Sequence, residues 1–285
     1  MQRILSPFRY KEPALPYHVP SSSADQNHVY DPFPRGKTLA HAPAQASCNR
    51  LLVDLTPAEF AWLQPHFVRV QLVYGQVLYE SGERIEHAYF IETGLVSTVA
   101  DINQPGDGAE AGMIETSMVG SEGFLGSAAL LHPGAISYGR SFVQVAGIAL
   151  RIPVPALQAA VQAIPALNRR LLDALQVAAA EVAQTVACNT RHAMPKRLAR
   201  WLLMAHDRTD GNELPLTQEV VAIMLGVRRP GVTNALTALE QAGLIRQSRG
   251  RITIVDRAGL EVASCGCHAR VRAFAAEVER QAGMD

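Results

Sequence analysis

The stretch that decides the fold runs "LTQEVVAIMLGVRRPGVTNALTALEQAGLI", from Leu216 to Ile245. It holds two helical apolar patterns separated by Gly226. Thr217 can cap the first, whose apolar side begins at Val220. Gly226 permits a tight turn that residues bearing a β-carbon resist. A second helix begins near Arg228, with Pro230 in its first turn, where a missing backbone donor costs little. Val232, Leu236 and Leu239 form its buried stripe, while Thr233, Asn234 and Thr237 lie on other sides. This is the spacing of a helix-turn-helix, in which the second helix enters the major groove with its N-terminal residues at base edges. Arg228 and Arg229 stand at that helix start, where a guanidinium can pair bidentately with guanine or clamp a phosphate. The following "GLIRQSRGRITIVD" reads as a strand pair turning near Gly250. Arg246, Arg249 and Arg251 would then sit on a wing that touches phosphates. The plainer alternative is a helical hairpin whose arginines are merely solvated. Turn, arginine-headed helix and basic wing together speak against it.

At 285 residues and 48% apolar, the chain has room for about two packed domains. The formal net charge of zero hides a division. Residues 49–150 carry four lysines and arginines against eleven acids, whereas residues 191–257 carry eleven against six. Such asymmetry points to a basic, nucleic-acid-facing part joined to an acidic part with another task, unless solvated charge has segregated by chance. No stretch approaches the ~20 uninterrupted apolar residues of a membrane span. The N-terminus lacks the apolar run and small-residue cleavage site of a secretory signal, so a cytoplasmic protein without a membrane partner is expected. Four cysteines, Cys48, Cys188, Cys265 and Cys267, are too few for a disulfide framework and read as free thiols or ligands.

Residues 1–47 are rich in proline and polar residues without a sustained apolar period, and are expected to form a disordered extension. From "TPAEFAWLQPHF" the pattern becomes regular: Thr56 can cap a short helix with Pro57 first and Glu59 third. Residues 48–155 then read as short strands. "AYFIETGLVSTVA" is expected as two strands around a turn at Gly94, with further strands in "AGMIETSMV" and "SFVQVAGIALRIP". A long helix is expected over 156–192. Ile164, Asn168, Leu171, Leu175, Ala178, Val182 and Thr185 alternate by fours and threes, the coiled-coil period, and Leu167, Leu172, Ala179 and Val186 widen the stripe. A dimer interface centred on Leu171, Leu175, Ala178 and Val182 is the favoured reading, against a helix packed only within its own subunit. Residues 193–263 form the helix-turn-helix unit, entered by "KRLARWLL" with Leu198, Trp201, Leu202 and Ala205 on one face. Residues 264–285 form a last helix that docks through Val271, Phe274 and Val278. The expected fold class is α+β.

The order of a glycine-punctuated roll ("YGQVLYESGERIEHAYFIETGLV"), long helix, "KRLARWLL" helix and arginine-headed helix-turn-helix with a wing resembles the CRP/FNR superfamily of bacterial transcription regulators. The resemblance covers roughly residues 50–260. It implies a cyclic-nucleotide-binding-like β-roll, a dimerisation helix and a winged helix-turn-helix. It also implies a homodimer on double-stranded DNA, RNA polymerase as a further partner, and an effector that repositions the reading helices. The rival is a ligand- or redox-sensing module whose helical half binds proteins. No paired carboxylates, nucleophile with base, or Gly-rich phosphate loop seeds an enzyme.

The chain departs from the family in three places. Members that bind cyclic nucleotides carry Gly-Glu and, further on, Arg-Ser/Thr. Here Gly126 is followed by Ser127, and Arg140 with Ser141 keeps the second half. A serine accepts ribose hydroxyls far more weakly than a carboxylate, which argues against a cyclic nucleotide. The family's iron–sulfur branch uses clustered N-terminal cysteines, and only Cys48 precedes Cys188, which argues against that cofactor. The family's reader is Arg-Glu followed after three residues by Arg; this chain has Arg229, Pro230 and Asn234, so its preferred operator should differ. Finally, "SCGCH" sets Cys265, Cys267 and His268 together. These could take zinc or copper(I) or sense oxidants, with Cys188 and His192 joining them in the fold, or could be incidental thiols.

Overall fold

The computed structural model describes residues 47–102 and 112–282. The expected extension, residues 1–47, lies outside the described residues in all but its last position. Helix α1 (Pro57–Leu63) starts as its sequence dictates. Thr56 Oγ1 accepts from Glu59 N, and the Glu59 carboxylate accepts from Thr56 N.

Strands β1 (Val68–Leu72), β2 (Val77–Tyr79), β3 (His87–Asp101), β4 (Met113–Val119), β5 (Phe124–Leu125) and β6 (Arg140–Pro153) follow, with a short helix α2 (Ala128–Leu131) before β6. They form one antiparallel sheet in the order β1–β6–β3–β4, with β2 also on β6 and β5 also on β3. The turn expected at Gly94 is not there: β3 runs straight through it. Gly94 has φ +88°, and a β-carbon on it would lie 2.5 Å from Val145 O. The β3–β6 register shifts on either side of it, so the glycine marks a bulge that curls a long strand rather than a hairpin end.

Phe67, Phe90, Phe124, Leu150 and Ile152 fill one side of the roll. Against them lie α3 (Val154–Ala163) and the first turns of α4 (Pro165–Arg191). The single helix expected over 156–192 is thus two. Pro165 lacks an N–H and crowds its predecessor out of helical geometry, and Ile164 accordingly sits at φ −124°, ψ 88°.

The expected seam on α4 also needs correction. Leu167, Leu171, Ala174, Glu181 and Cys188 form a stripe that packs within the subunit, and Leu171 is fully buried in the roll's core. A second stripe, also at four-and-three spacing, faces outward: Leu172 (48% exposed), Leu175, Ala179, Val182 (39%) and Val186 (63%). The sequence-based seam mixed the two, because both repeat with the same period and differ only in azimuth. By length and composition α4 is the one helix among the described residues that could cross a membrane. It nonetheless carries Arg170 paired to Asp54 at 2.9 Å and a buried Glu181 paired to Arg208 at 2.7 Å.

Helix α5 (Met194–His206) follows, and it is buried from Leu198 to Ala205, Arg200 included. Then come β7 (Glu213–Leu214), α6 (Gln218–Leu225), α7 (Arg229–Gln241), β8 (Ile245–Ser248), β9 (Arg251–Ile254), α8 (Arg257–Ala263) and α9 (Cys267–Ala282). The expected hairpin β8–β9 gains β7 on its open edge, a strand without a counterpart in the sequence reading, as is α8. The last helix docks along α4, with Val278 buried and Val271 and Phe274 half-buried.

The helical unit is not loosely tethered. Leu95, Val99, Met118 and Phe142 of the roll share one apolar core with Trp201, Leu225, Val232 and Leu236. Gly226 ends α6 in the left-handed region at φ +61°, and a β-carbon on it would lie 2.7 Å from Ile114 on β4. Gly226→Ala should therefore lower stability by about 1–3 kcal/mol in a denaturant titration.

One polar contact crosses the same seam. Trp201 Nε1 donates to Glu115 Oε2 at 2.5 Å, and Glu115 Oε1 is buried without a partner among the described residues. Burial pushes the Glu115 carboxyl up to about 7 against an ordinary 4.5, and the Ser97 and Trp201 side chains only partly oppose this. The neutral acid is thus the form the fold prefers. Its stabilising effect is complete below the ordinary carboxylate range and is lost as pH rises through about 7. Wild-type stability should fall by up to about 3 kcal/mol between roughly pH 5 and pH 8, and Glu115→Gln should flatten that profile. Urea midpoints measured across pH check both.

Candidate nucleic-acid interface

The turn chemistry sets the geometry of the reading head. Thr217 caps α6, its hydroxyl accepting from Val220 N at 3.2 Å, as expected. Arg228 is the extended residue before α7, and Pro230 occupies its first turn. Val232, Leu236 and Leu239 are buried, which turns Arg228, Arg229 and Asn234 outward, and all three are exposed. The wing turns at Arg249 and Gly250, with Ser248 opposite Arg251. Arg246, Arg249 and Arg251 are exposed along it.

The structure sorts the basic residues of this region by occupation. Arg208 is buried between Glu122 at 2.6 Å and Glu181 at 2.7 Å. Arg257 meets Asp207 at 2.5 Å and Glu261 at 3.1 Å. Arg197 donates to Leu225 O and Asn189 Oδ1. Arg251 reaches Glu213 at 3.2 Å, so one of the wing arginines is shared with β7. Arg228, Arg229, Arg246 and Arg249 make no ion pair with an acid among the described residues. Four of the eleven cations of residues 191–257 therefore stand without an acid partner at the tip of α7 and on the wing. Unpaired guanidinium groups gathered on a surface make an electrostatic footprint for phosphates.

Thr233 behaves differently from its expected role. It is half-buried, and its hydroxyl donates to Gln218 Oε1 at 2.7 Å and lies 3.1 Å from Arg229 O. Gln218 Nε2 in turn donates to Gln247 Oε1 at 2.9 Å. Gln247 donates from its backbone to Glu240 Oε1 at 2.6 Å and from its side chain to Glu240 Oε2 at 2.9 Å. This chain of amides fastens α6, α7 and β8 into one surface. Thr233 thus holds the head together, whereas Asn234 is the polar side chain left facing out. Sequence reasoning missed Gln218, Gln247 and Glu240, because their partners lie on other elements and only the fold brings them within reach.

In the roll, the residues expected to cradle an effector are otherwise engaged. Arg140 lies 3.4 Å from the Glu80 carboxylate, and Ser141 Oγ is 2.8 Å from Thr98 Oγ1 on the neighbouring strand. Gly126 packs on Tyr79, whose hydroxyl donates to His87 O at 2.6 Å, and Ser127 precedes α2 without capping it.

The cysteine motif is assembled with a different histidine from the one beside it in sequence. Cys265 and Cys267 meet Cys188 of α4 and His192 just past its end. His268 turns away, and its Nε2 lies 2.7 Å from Asp207 Oδ2. Burial pushes the Asp207 carboxyl up, but His268 and Arg257 outweigh it and hold the group down to about 2.

Residues 196–263 match the Crp-like helix-turn-helix domain. Solved structures of the same fold include FixK2 from Bradyrhizobium japonicum, 16% identical over 70% of this chain and 98% of that one, with a TM-score of 0.58. A CRP-family transcriptional regulator from Thermus thermophilus is 22% identical over 66% of this chain and 93% of its own, with a TM-score of 0.53. The c-di-GMP-responsive global regulator CLP of Xanthomonas campestris is 16% identical over 70% and 99%, with a TM-score of 0.55. No curated protein matches the chain in sequence. A Crp-like helix-turn-helix domain on a CRP/FNR-type fold bears out the resemblance read from the sequence.

Proposed function

We propose that this chain of the CRP/FNR superfamily is a sequence-specific transcription regulator that binds double-stranded DNA as a homodimer. The observation that carries the reading is the set of four unpaired arginines, Arg228, Arg229, Arg246 and Arg249, on a head made rigid by the Thr233–Gln218–Gln247–Glu240 chain. Arg229 and Asn234 supply base readout, the arginine toward guanine and the asparagine toward adenine or phosphate. The wing and Arg228 clamp phosphates, and the exposed Thr217 hydroxyl at the start of α6 adds a further phosphate contact. Pro230 offers no acceptor to cytosine, so the operator differs from that of family members with an acid at this position.

The dimer forms along the outer stripe of α4: Leu172, Leu175, Ala179, Val182 and Val186. Five apolar positions at heptad spacing fit a second copy of the same helix better than lipid, given the paired Arg170 and Glu181 on that helix. Ala178 lies at the edge of this seam. The paired heads would read half-sites about 34 Å apart. A signal received by the roll reaches the head through the apolar seam that joins β4 to α6. RNA polymerase is the remaining partner this role requires. The working compartment is the cytoplasm.

Fluorescence anisotropy on selected DNA across a salt series tests the reading. Affinity should fall steeply with salt, with a slope of log K against log salt equal to about −0.9 per phosphate contacted. Binding that ignores salt and DNA would instead favour a protein partner. Arg229→Ala should erase preference at one base position at a cost of about 1–3 kcal/mol and leave non-specific binding in place. Site selection with the variant checks this, and an unchanged operator consensus contradicts it. Val182→Glu places charge in the proposed seam and should yield monomers by light scattering at low micromolar concentration, with the far-ultraviolet circular dichroism unchanged.

A further inference from the structure

Cys188 lies in the last turn of α4, and His192 follows four residues later, so both side chains leave the helix on one side. Cys265 and Cys267 flank Gly266 in the link from α8 to α9. Their four ligand atoms all lie within 4.8 Å of one another. Cys188 Sγ is 3.4 Å from Cys265 Sγ, and Cys267 Sγ is 3.6 Å from His192 Nδ1. All three cysteines are buried.

We propose that Cys188, His192, Cys265 and Cys267 form a mononuclear zinc site that fastens the C-terminal helix to the end of α4. A tetrahedral zinc ion bound at about 2.3 Å to sulfur and about 2.0 Å to nitrogen separates its ligand atoms by roughly 3.8 Å between sulfurs and 3.6 Å from sulfur to nitrogen. The observed spacings need only small adjustments to reach those edges. An iron–sulfur cluster places its thiolates on different irons and spreads them more widely than this group allows. Hard cations take oxygen ligands, of which the set has none. Copper(I) shares the taste for thiolate, but a fourth, imidazole donor completing a tetrahedron favours zinc.

Two neighbours fit an ion with thiolate ligands. Gln184 Nε2 donates to Cys267 Sγ at 3.1 Å, the kind of outer hydrogen bond that orients a ligating sulfur. Arg200 is buried, donates to Thr185 Oγ1 at 2.8 Å, and forms no ion pair with a carboxylate among the described residues. It lies within electrostatic reach of Cys188. Binding converts three thiols to thiolates, releases their three protons to solvent, and leaves a centre of net charge −1. Arg200 is the counter-charge such a centre requires.

The site sits where α4 hands over to α5, so it fixes the angle at which the helical head leaves the long helix. Its existence does not depend on DNA binding, and its test reads the metal itself. The full-length protein, prepared under reductant, should contain about one zinc per chain by plasma mass spectrometry. After chelation, added cobalt(II) should give tetrahedral d–d bands and a thiolate-to-cobalt charge-transfer band, and zinc should displace it. Cys267→Ser and His192→Ala should abolish that spectrum, His268→Ala should keep it, and Gln184→Ala should weaken binding by about tenfold. Stripping and reloading the wild type, with circular dichroism as a check on folding, covers the case in which a ligand variant fails to fold. Three results would overturn the site. They are a reduced protein that takes up neither zinc nor cobalt, a Cys188–Cys265 disulfide as its resting form, or a cobalt spectrum that needs His268 and not His192. Uptake of copper(I) with rejection of zinc would overturn the assignment of the ion.

Discussion

The organisation of this molecule depends on α5 being buried on every side. Leu198, Trp201, Leu202 and Ala205 were legible as one apolar face, yet Ala199, Leu203 and Met204 are buried as well. A run of eight consecutive buried residues, Arg200 among them, has to be enclosed by neighbouring elements. α7, α8 and α9 all lie against α5, and roll residues share its core. The reading head therefore has no independent core to retreat to. It shares one with Leu95, Val99, Met118 and Phe142.

A shared core makes the relation between roll and head a matter of discrete states rather than of loose hinging. Close-packed interiors do not deform continuously, so a change in the head's position requires repacking at β4 and α6. A ligand of the roll can drive that change only by the difference in its affinity for the two packings. The polar pair Glu115–Trp201 sits in this seam, with Glu115 Oε1 buried and unpartnered among the described residues. An acid left with one unpartnered oxygen in an apolar interface holds the contact less firmly than its neighbours do. Arg140 and Ser141 are tied to Glu80 and Thr98 within the roll, so the family's phosphate-holding pair here contributes to strand packing.

Much of the head could be read from the chain because its signals are local. Thr217, Gly226 and Pro230 act through their own backbone or the next turn, and the fold honours each. The wing was legible for the same reason, through Gly250. What failed was non-local. Gly94 has the composition of a turn, but whether a glycine ends a strand or bulges it depends on the partner strand, here β6. The period of α4 gave the repeat but set Leu171, which lies in the subunit's own core, beside Leu175 and Val182 of the outer stripe, because nothing in a heptad says which of two stripes meets that core. The break before α4 is the one local signal here, carried by Pro165, which forces Ile164 out of helical geometry. Of the two histidines the sequence set beside the cysteines, the fold brings in His192, 75 residues from Cys267, and turns the adjacent His268 to Asp207. The amide chain through Gln218 and Gln247 carries no sequence signature at all.

The two stripes of α4 give that helix a double role. Its outer side presents Leu172, Leu175, Ala179, Val182 and Val186, with exposed Asn168 and Asn189 one heptad step beyond each end. A polar residue at such a position limits how far a partner helix can slide. Its inner side carries, in order, a hydrophobic contact to the roll at Leu167 and Leu171, an ion pair to the head at Glu181, and the cysteine cluster at Cys188. The roll, the head and the C-terminal helix are thus all indexed to one rod. A shift of α4 against its partner would move Glu181 and Cys188 together, and with them Arg208 and the start of α5. In the proposed dimer, such a rod would convert a change at the pairing axis into a rotation of the head, so the spacing of two reading helices could be set without any contact between them.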